Sequence, residues 1–134
     1  MKNFTLPRLL HVMLRVNNLE KSIEFYTHLL GMKVLRKQDY PEGHFTLTFL
    51  GYEDESNSTV IELTHNWDDH QYELGDAFGH LALAINNLHE FCQYLKKHDV
   101  IITREPAPMR YDPTEVIAFI LDPDGYSIEL IEKP

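Results

Sequence analysis

The chain is poor in cysteine, in basic runs and in long apolar stretches, and each shortage excludes a class of protein. Cys92 is the only cysteine, so an intrachain disulfide and a cysteine-based zinc site are both ruled out. Its helical spacing with Leu88, Phe91 and Leu95 reads as a buried core thiol. Acidic residues outnumber basic ones 21 to 12, for a formal charge of −9. With no basic run to match a phosphate backbone, nucleic acid is not an expected partner. No stretch approaches 18 apolar residues, and no charged segment precedes a short apolar one. Neither a membrane span nor a signal peptide is expected, and the expected location is the cytoplasm. Low-complexity segments are also missing.

What remains is ordinary for a folded domain: 134 residues, 43% of them hydrophobic, with seven Phe and seven Tyr. That is enough chain for one real core.

The informative feature is a repeat. His11-Val-Met-Leu-Arg-Val-Asn-Asn-Leu19 returns as His80-Leu-Ala-Leu-Ala-Ile-Asn-Asn-Leu88. Each copy later reaches an Ile-Glu-Leu segment, Ile61-Glu62-Leu63 and Ile128-Glu129-Leu130. The His-to-Glu spacing is 51 residues in the first copy and 49 in the second.

Residues 9–16 alternate, with His11, Met13 and Arg15 on one face and Val12, Leu14 and Val16 on the other, as a half-buried strand does. Asn17-Asn18 then supplies a helix cap. Leu19, Ile23, Tyr26 and Leu30 recur at helical spacing up to Gly31. Met32–Gln38, Phe45–Tyr52 and Thr59–Thr64 read as strands. The second copy follows the same order: a strand over Gly79–Ile85, a helix capped by Asn86-Asn87, then strands over Val100–Arg104, Thr114–Leu121 and Tyr126–Glu132. Three prolines in Glu105–Pro113 predict a loop there, and Asp122-Pro-Asp-Gly125 predicts a turn. The expected fold is α+β, with two tandem βαβββ modules over about 8–65 and 79–133. A linker over about 66–78 joins them within one domain, 1–134. A module with one strongly apolar sheet face needs a partner surface.

The repeat makes His11 equivalent to His80 and Glu62 equivalent to Glu129. Two imidazoles and two carboxylates form a ligand set for a borderline divalent ion, with octahedral positions left for water or substrate. Such an ion polarises a carbonyl, and a carboxylate beside it can take a proton from the adjacent carbon.

Beyond the repeat, the chain resembles glyoxalase I, of the vicinal-oxygen-chelate superfamily, over about residues 8–132. The motifs that carry the resemblance are Leu10-His-Val-Met-Leu-Arg-Val16, Phe25-Tyr26 followed by Leu30-Gly-Met32, and Val60-Ile-Glu-Leu-Thr-His-Asn-Trp67. Gly79-His80, Ala118-Phe119, Asp122-Pro-Asp-Gly-Tyr126 and Ile128-Glu-Leu130 complete it.

The resemblance implies isomerisation of the methylglyoxal–glutathione hemithioacetal to S-D-lactoylglutathione through an enediolate, a methylglyoxal detoxification. It implies metal ligands at His11, Glu62, His80 and Glu129, with Glu129 or Glu62 as the catalytic base. Arg15 and Asn66 match residues that hold the γ-glutamyl end of glutathione. Arg104 stands where some members carry a lysine near the glycyl end. A further arginine of the animal enzyme, four residues before the second His, is Asp76 here. The animal enzyme has glutamine at the position of His11 and uses zinc. His11 therefore implies the bacterial class activated by Ni2+ or Co2+, with Zn2+ less suited. That class forms homodimers whose sites lie at the subunit interface. Alternatives on the same fold are an epimerase, a dioxygenase or a non-enzymatic small-molecule binder.

Overall fold

In the computed structural model, which describes residues 3–134, an ordered series of elements runs once through each half of the chain. The first half contains β1 (His11–Arg15), α1 (Leu19–Glu24), β2 (Lys33–Tyr40), β3 (Phe45–Gly51) and β4 (Val60–Asn66). The second contains β5 (Leu81–Ile85), α2 (Leu88–Lys97), β6 (Ile102–Met109), β7 (Asp112–Leu121) and β8 (Ser127–Glu132). The two sheets have matching strand orders, β1-β4-β3-β2 and β5-β8-β7-β6. In each, the first and last strands of the module pair in parallel and the other neighbours are antiparallel. This is the expected pair of βαβββ modules. Contacts divide the chain between Tyr72 and Glu73.

Alternation fixes which face of each sheet is dry. In the first unit Leu14, Val16, Leu50, Ile61 and Leu63 are buried with Leu19, Phe25 and Tyr26 of the helical segment. In the second, Ala118, Ile120, Ile128 and Leu130 are buried with Leu88, Cys92 and Leu95 of α2. The residues between them, Glu62 and Glu129 among them, belong to the opposite faces.

The helices end and begin by different devices. Asn18 caps α1 as expected, its side chain accepting from Lys21 N at 3.1 Å. After Glu24 the helix widens into a π-helical turn over Phe25–Leu29, and Leu30 N donates to Phe25 O. The wider turn lets consecutive Phe25 and Tyr26 both go inward, edge to face at 5.1 Å. Gly31 then takes φ 78°, as a helix-terminating glycine should. In the second module Asn87 occupies the cap position but in a left-handed conformation, without a side-chain cap bond. The Glu132 carboxylate, at the end of β8, accepts from Leu88 N instead, at 3.1 Å.

One expectation is overturned. Residues 105–113 are not a loop: β6 runs through Pro106 and Pro108, and β7 begins at Asp112 and contains Pro113. Only Arg110 and Tyr111 separate the strands. β6 is an edge strand, so a missing N–H need not break a ladder. Register shifts between Arg104 and Ala107 and between Pro108 and Met109 absorb the rest. The Asp122–Gly125 turn is as expected: Asp122 Oδ1 accepts from Asp124 N and Tyr126 N, both at 2.9 Å. Among the described residues no helix is long and apolar enough to cross a membrane.

Candidate active site in two halves

β1 and β4 run in parallel with Met13 beside Glu62, so His11 stands two residues before Glu62's direct neighbour, on the same face. That register brings His11 Nε2 to 2.8 Å from Glu62 Oε2. β5 and β8 repeat the arrangement. Ala82 lies beside Glu129, and His80 Nε2 is 3.2 Å from Glu129 Oε1. Both glutamates are largely shielded, at 12% and 17% side-chain exposure, while both imidazoles are more open, at 38% and 40%. Each shielded carboxylate thus sits under one accessible nitrogen donor.

The structure adds an aromatic to each half. Phe49 of β3 is register partner to Glu62, and its ring meets His11 edge to face at 5.5 Å. Phe119 of β7 is register partner to Glu129 and meets His80 in the same way at 5.3 Å. The duplicated unit is therefore His-Glu-Phe. The spacing from Phe to Glu is 13 residues in the first module and 10 in the second, which hides the match in a linear reading.

The arginines are duplicated too. Arg36 pairs with Phe49 across β2 and β3, and Arg104 pairs with Phe119 across β6 and β7. Arg36 lies over the Phe49 ring, 3.7 Å from its centroid, and its guanidinium is held by both oxygens of Glu55 at 2.8 and 3.1 Å. The hydrogen bond to Glu55 raises the Arg36 pKa above its ordinary value, with a smaller contribution from the charge of Glu62. Arg104 instead donates to Pro108 O at 3.0 Å. The sequence pointed to Arg104, carried Phe119 only as part of a motif with no site role, and gave no sign of Arg36 or Phe49. The signal for all three is strand register, visible only once the sheets are paired.

The remaining candidates fall beside the first half. Arg15 ends β1 next to Thr64, on the His11 face, and Asn66 ends β4 on the Glu62 face. Asn66 Nδ2 donates to the Tyr72 hydroxyl at 2.9 Å.

The donor chemistry suits a divalent metal ion. Ligands bonded at about 2.1 Å on adjacent octahedral corners are roughly 3 Å apart, which the 2.8 and 3.2 Å His–Glu separations match. Each module supplies two donors, and among the described residues no three His, Cys, Asp or Glu side chains cluster tightly enough to hold an ion.

Two βαβββ modules, each with a histidine beside a carboxylate on one sheet face, define a duplicated-module class of protein. Residues 8–130 match the family model for the Glyoxalase/Bleomycin resistance protein/Dioxygenase superfamily, and the chain belongs to that family. It is 57% identical over 126 residues to a lactoylglutathione lyase of Neisseria meningitidis serogroup A, covering 94% of this chain and 91% of that one. It is 52% identical to the lactoylglutathione lyase of Escherichia coli O157:H7, covering 94% and 93%. Among solved structures it is similar to Leishmania major glyoxalase I, described as trypanothione-dependent, with a TM-score of 0.85 and 46% identity over 95% of this chain and 87% of that one. Zea mays glyoxalase I gives a TM-score of 0.89 at 41% identity. There the match covers 94% of this chain but 44% of the maize chain.

Proposed function

We propose that this chain is a lactoylglutathione lyase that isomerises the methylglyoxal–glutathione hemithioacetal to S-D-lactoylglutathione, and so detoxifies methylglyoxal. The observation that carries the reading is 57% identity to an enzyme of that name over 94% of the chain, joined to a duplicated His-Glu pair of ligand geometry. The modules over about 8–65 and 79–133, joined by the linker over 66–78, supply one half-site each. Two copies of the chain form a homodimer with its sites at the subunit interface. His11 and Glu62 come from one copy, and His80 and Glu129 from the other. Support comes from the open His-bearing faces, where Met13, Ala82 and Ala84 are exposed beside the ligands.

The four side chains hold a divalent ion, Ni2+ or Co2+ in preference to Zn2+, because His11 adds a second imidazole to two carboxylates. When bound, that ion supplies Lewis acidity to the substrate's oxygens. Glu129 takes the proton from the carbon bearing sulfur, and the proton returns to the neighbouring carbon through an enediolate. Glu62 is the alternative base. Phe49 and Phe119 shield the reacting centre from water. Arg15 and Asn66 hold the γ-glutamyl end of glutathione, and Arg104 the glycyl end. Glutathione rather than trypanothione is the thiol, in line with the names of the most similar bacterial relatives given above. The enzyme works in the cytoplasm.

The test is an assay of chelated protein with methylglyoxal and glutathione, adding Ni2+, Co2+ and Zn2+ separately. Recovery is expected with Ni2+ and Co2+. Equal or better recovery with Zn2+ removes the metal assignment, and no turnover with any of the three removes the lyase reading. Light scattering should give twice the 15.7 kDa chain mass; an active monomer removes the shared site.

A further inference from the structure

Glu55, in the loop between β3 and β4, holds two arginines at once, and both lead to His11. Its backbone carbonyl accepts from Arg8 Nη2 at 2.8 Å, and Ser58 O accepts from Arg8 Nη1 at 3.3 Å. Thr59 Oγ1 donates to Leu9 O at 2.7 Å, and Val60 N donates to Leu10 O at 3.1 Å. The chain entering β1 is thus tied to this loop up to the residue before His11. The Glu55 carboxylate takes the Arg36 guanidinium through both oxygens, at 2.8 and 3.1 Å. Arg36 in turn covers the Phe49 ring, and that ring meets the His11 imidazole edge to face. One residue therefore fixes the His11 backbone from one side and the packing of its ring from the other.

The pair is too exposed to matter much for overall stability. Arg36 and Glu55 side chains are 54% and 32% exposed, and ion pairs in such settings add little to folding. Their effect is local. A two-bonded fork stops the guanidinium from sliding off the ring, and a covered Phe49 keeps its edge against His11. In the second module Arg104 is held at Pro108 O instead. Resting on the metal-site reading above, we propose that Glu55 is a positioning residue. Through Arg36 and Phe49 it presets the His11 imidazole beside Glu62, ready for the divalent ion. It acts by packing and not by charge. The two routes differ in sign, because a cation near a metal site repels the ion and its removal through charge alone strengthens binding.

The test measures Ni2+ affinity of the whole chain by competition with a chelator. Glu55→Ala, Arg36→Ala and the double variant should each bind Ni2+ about three- to tenfold more weakly. That is less than the roughly 10–100-fold lost with a group bonded directly to a ligand, because here the contact runs through a ring. The losses should be equal, since the two residues act as one unit, and in a Phe49→Leu background Glu55→Ala should cost nothing further. Unchanged or tighter binding in Arg36→Ala, additive losses in the double variant, or a further loss in the Phe49→Leu background overturns the proposal.

A second readout needs neither metal nor substrate. In chelated protein with labelled His and Phe rings, NMR should show faster flipping of the Phe49 ring in Glu55→Ala. The His11 ring signals should shift or broaden, and those of His80 and Phe119 should match the parent. An unchanged His11 shows that the clamp does not reach it, and equal changes at His11 and His80 show a general loosening. Either result overturns the proposal. A parent protein that binds no Ni2+ removes the metal reading, and the ring signals still decide whether Glu55 positions His11.

Discussion

The two modules share a strand order and a His-Glu-Phe unit, yet they finish that unit differently. In the first, Arg36 lies on Phe49 and is clamped by Glu55, so the ring is buried at 4% exposure. In the second, Arg104 has the equivalent register but turns to Pro108 O, and Phe119 is only half-buried. The difference begins in the hairpins. β3 and β4 are joined by a loop long enough to bring Glu55 to Arg36, whereas β7 and β8 are joined by the tight Asp122–Gly125 turn. Duplication of a fold thus preserved the pairing geometry, which depends on backbone register. The surroundings of each glutamate depend on loop length, and these diverged. One His-Glu pair has a fixed cation beside its carboxylate, and the other has its cation directed elsewhere.

The largest expected effect tests whether that divergence has a catalytic meaning. Glu129→Gln keeps an oxygen donor and the side-chain size but removes basicity. Turnover should fall by at least about two orders of magnitude, the scale of a lost general base, with metal content largely kept. Glu62→Gln, beside Arg36, should cost less. Equal losses in the two fully metallated variants would make the halves catalytically interchangeable.

A smaller effect concerns the helix caps. Asn18→Ala should destabilise the protein by about 1 kcal/mol in urea denaturation, the usual value of an N-cap. Glu132→Gln should cost less, because the amide oxygen still accepts from Leu88 N. If the order is reversed, the carboxylate from β8 is the stronger cap.

The smallest effect is a lack of reaction. Burial pushes the Cys92 thiol above its ordinary range, with a nearby Glu105 adding to the shift. Raising the pKa lowers the thiolate fraction at any pH below it, so native protein should not react with a thiol reagent at pH 8 until denaturant is added. Rapid labelling of the folded state would show that the core of the second module opens more readily than its packing implies.

The sheets, the helices and the two His-Glu pairs were legible because the governing signals are period-2 alternation, helical spacing of apolar residues and a repeated His. Three things were not. The strands through Pro106, Pro108 and Pro113 read as a loop because proline's cost depends on whether a strand is at an edge, which is a property of the assembled sheet. Glu132 caps α2 from 44 residues away, and nothing near Asn87 announces it. Phe49, Phe119 and Arg36 come beside the His-Glu pairs through strand register. In each case the missing information is long-range pairing, which local sequence does not carry.

The prolines of β6 have one more consequence. An outermost strand ordinarily offers a row of unused N–H and C=O groups on which another chain can build, the first step toward fibrils. Pro106 and Pro108 remove two donors from that row, and the register shifts beside them break its regularity. At the corresponding border of the other sheet, β2 carries Lys33, Arg36 and Lys37, whose charges repel an incoming strand. With those two borders unfit for extension by hydrogen bonding, an incoming strand finds no regular template at β6 and a like-charged one at β2.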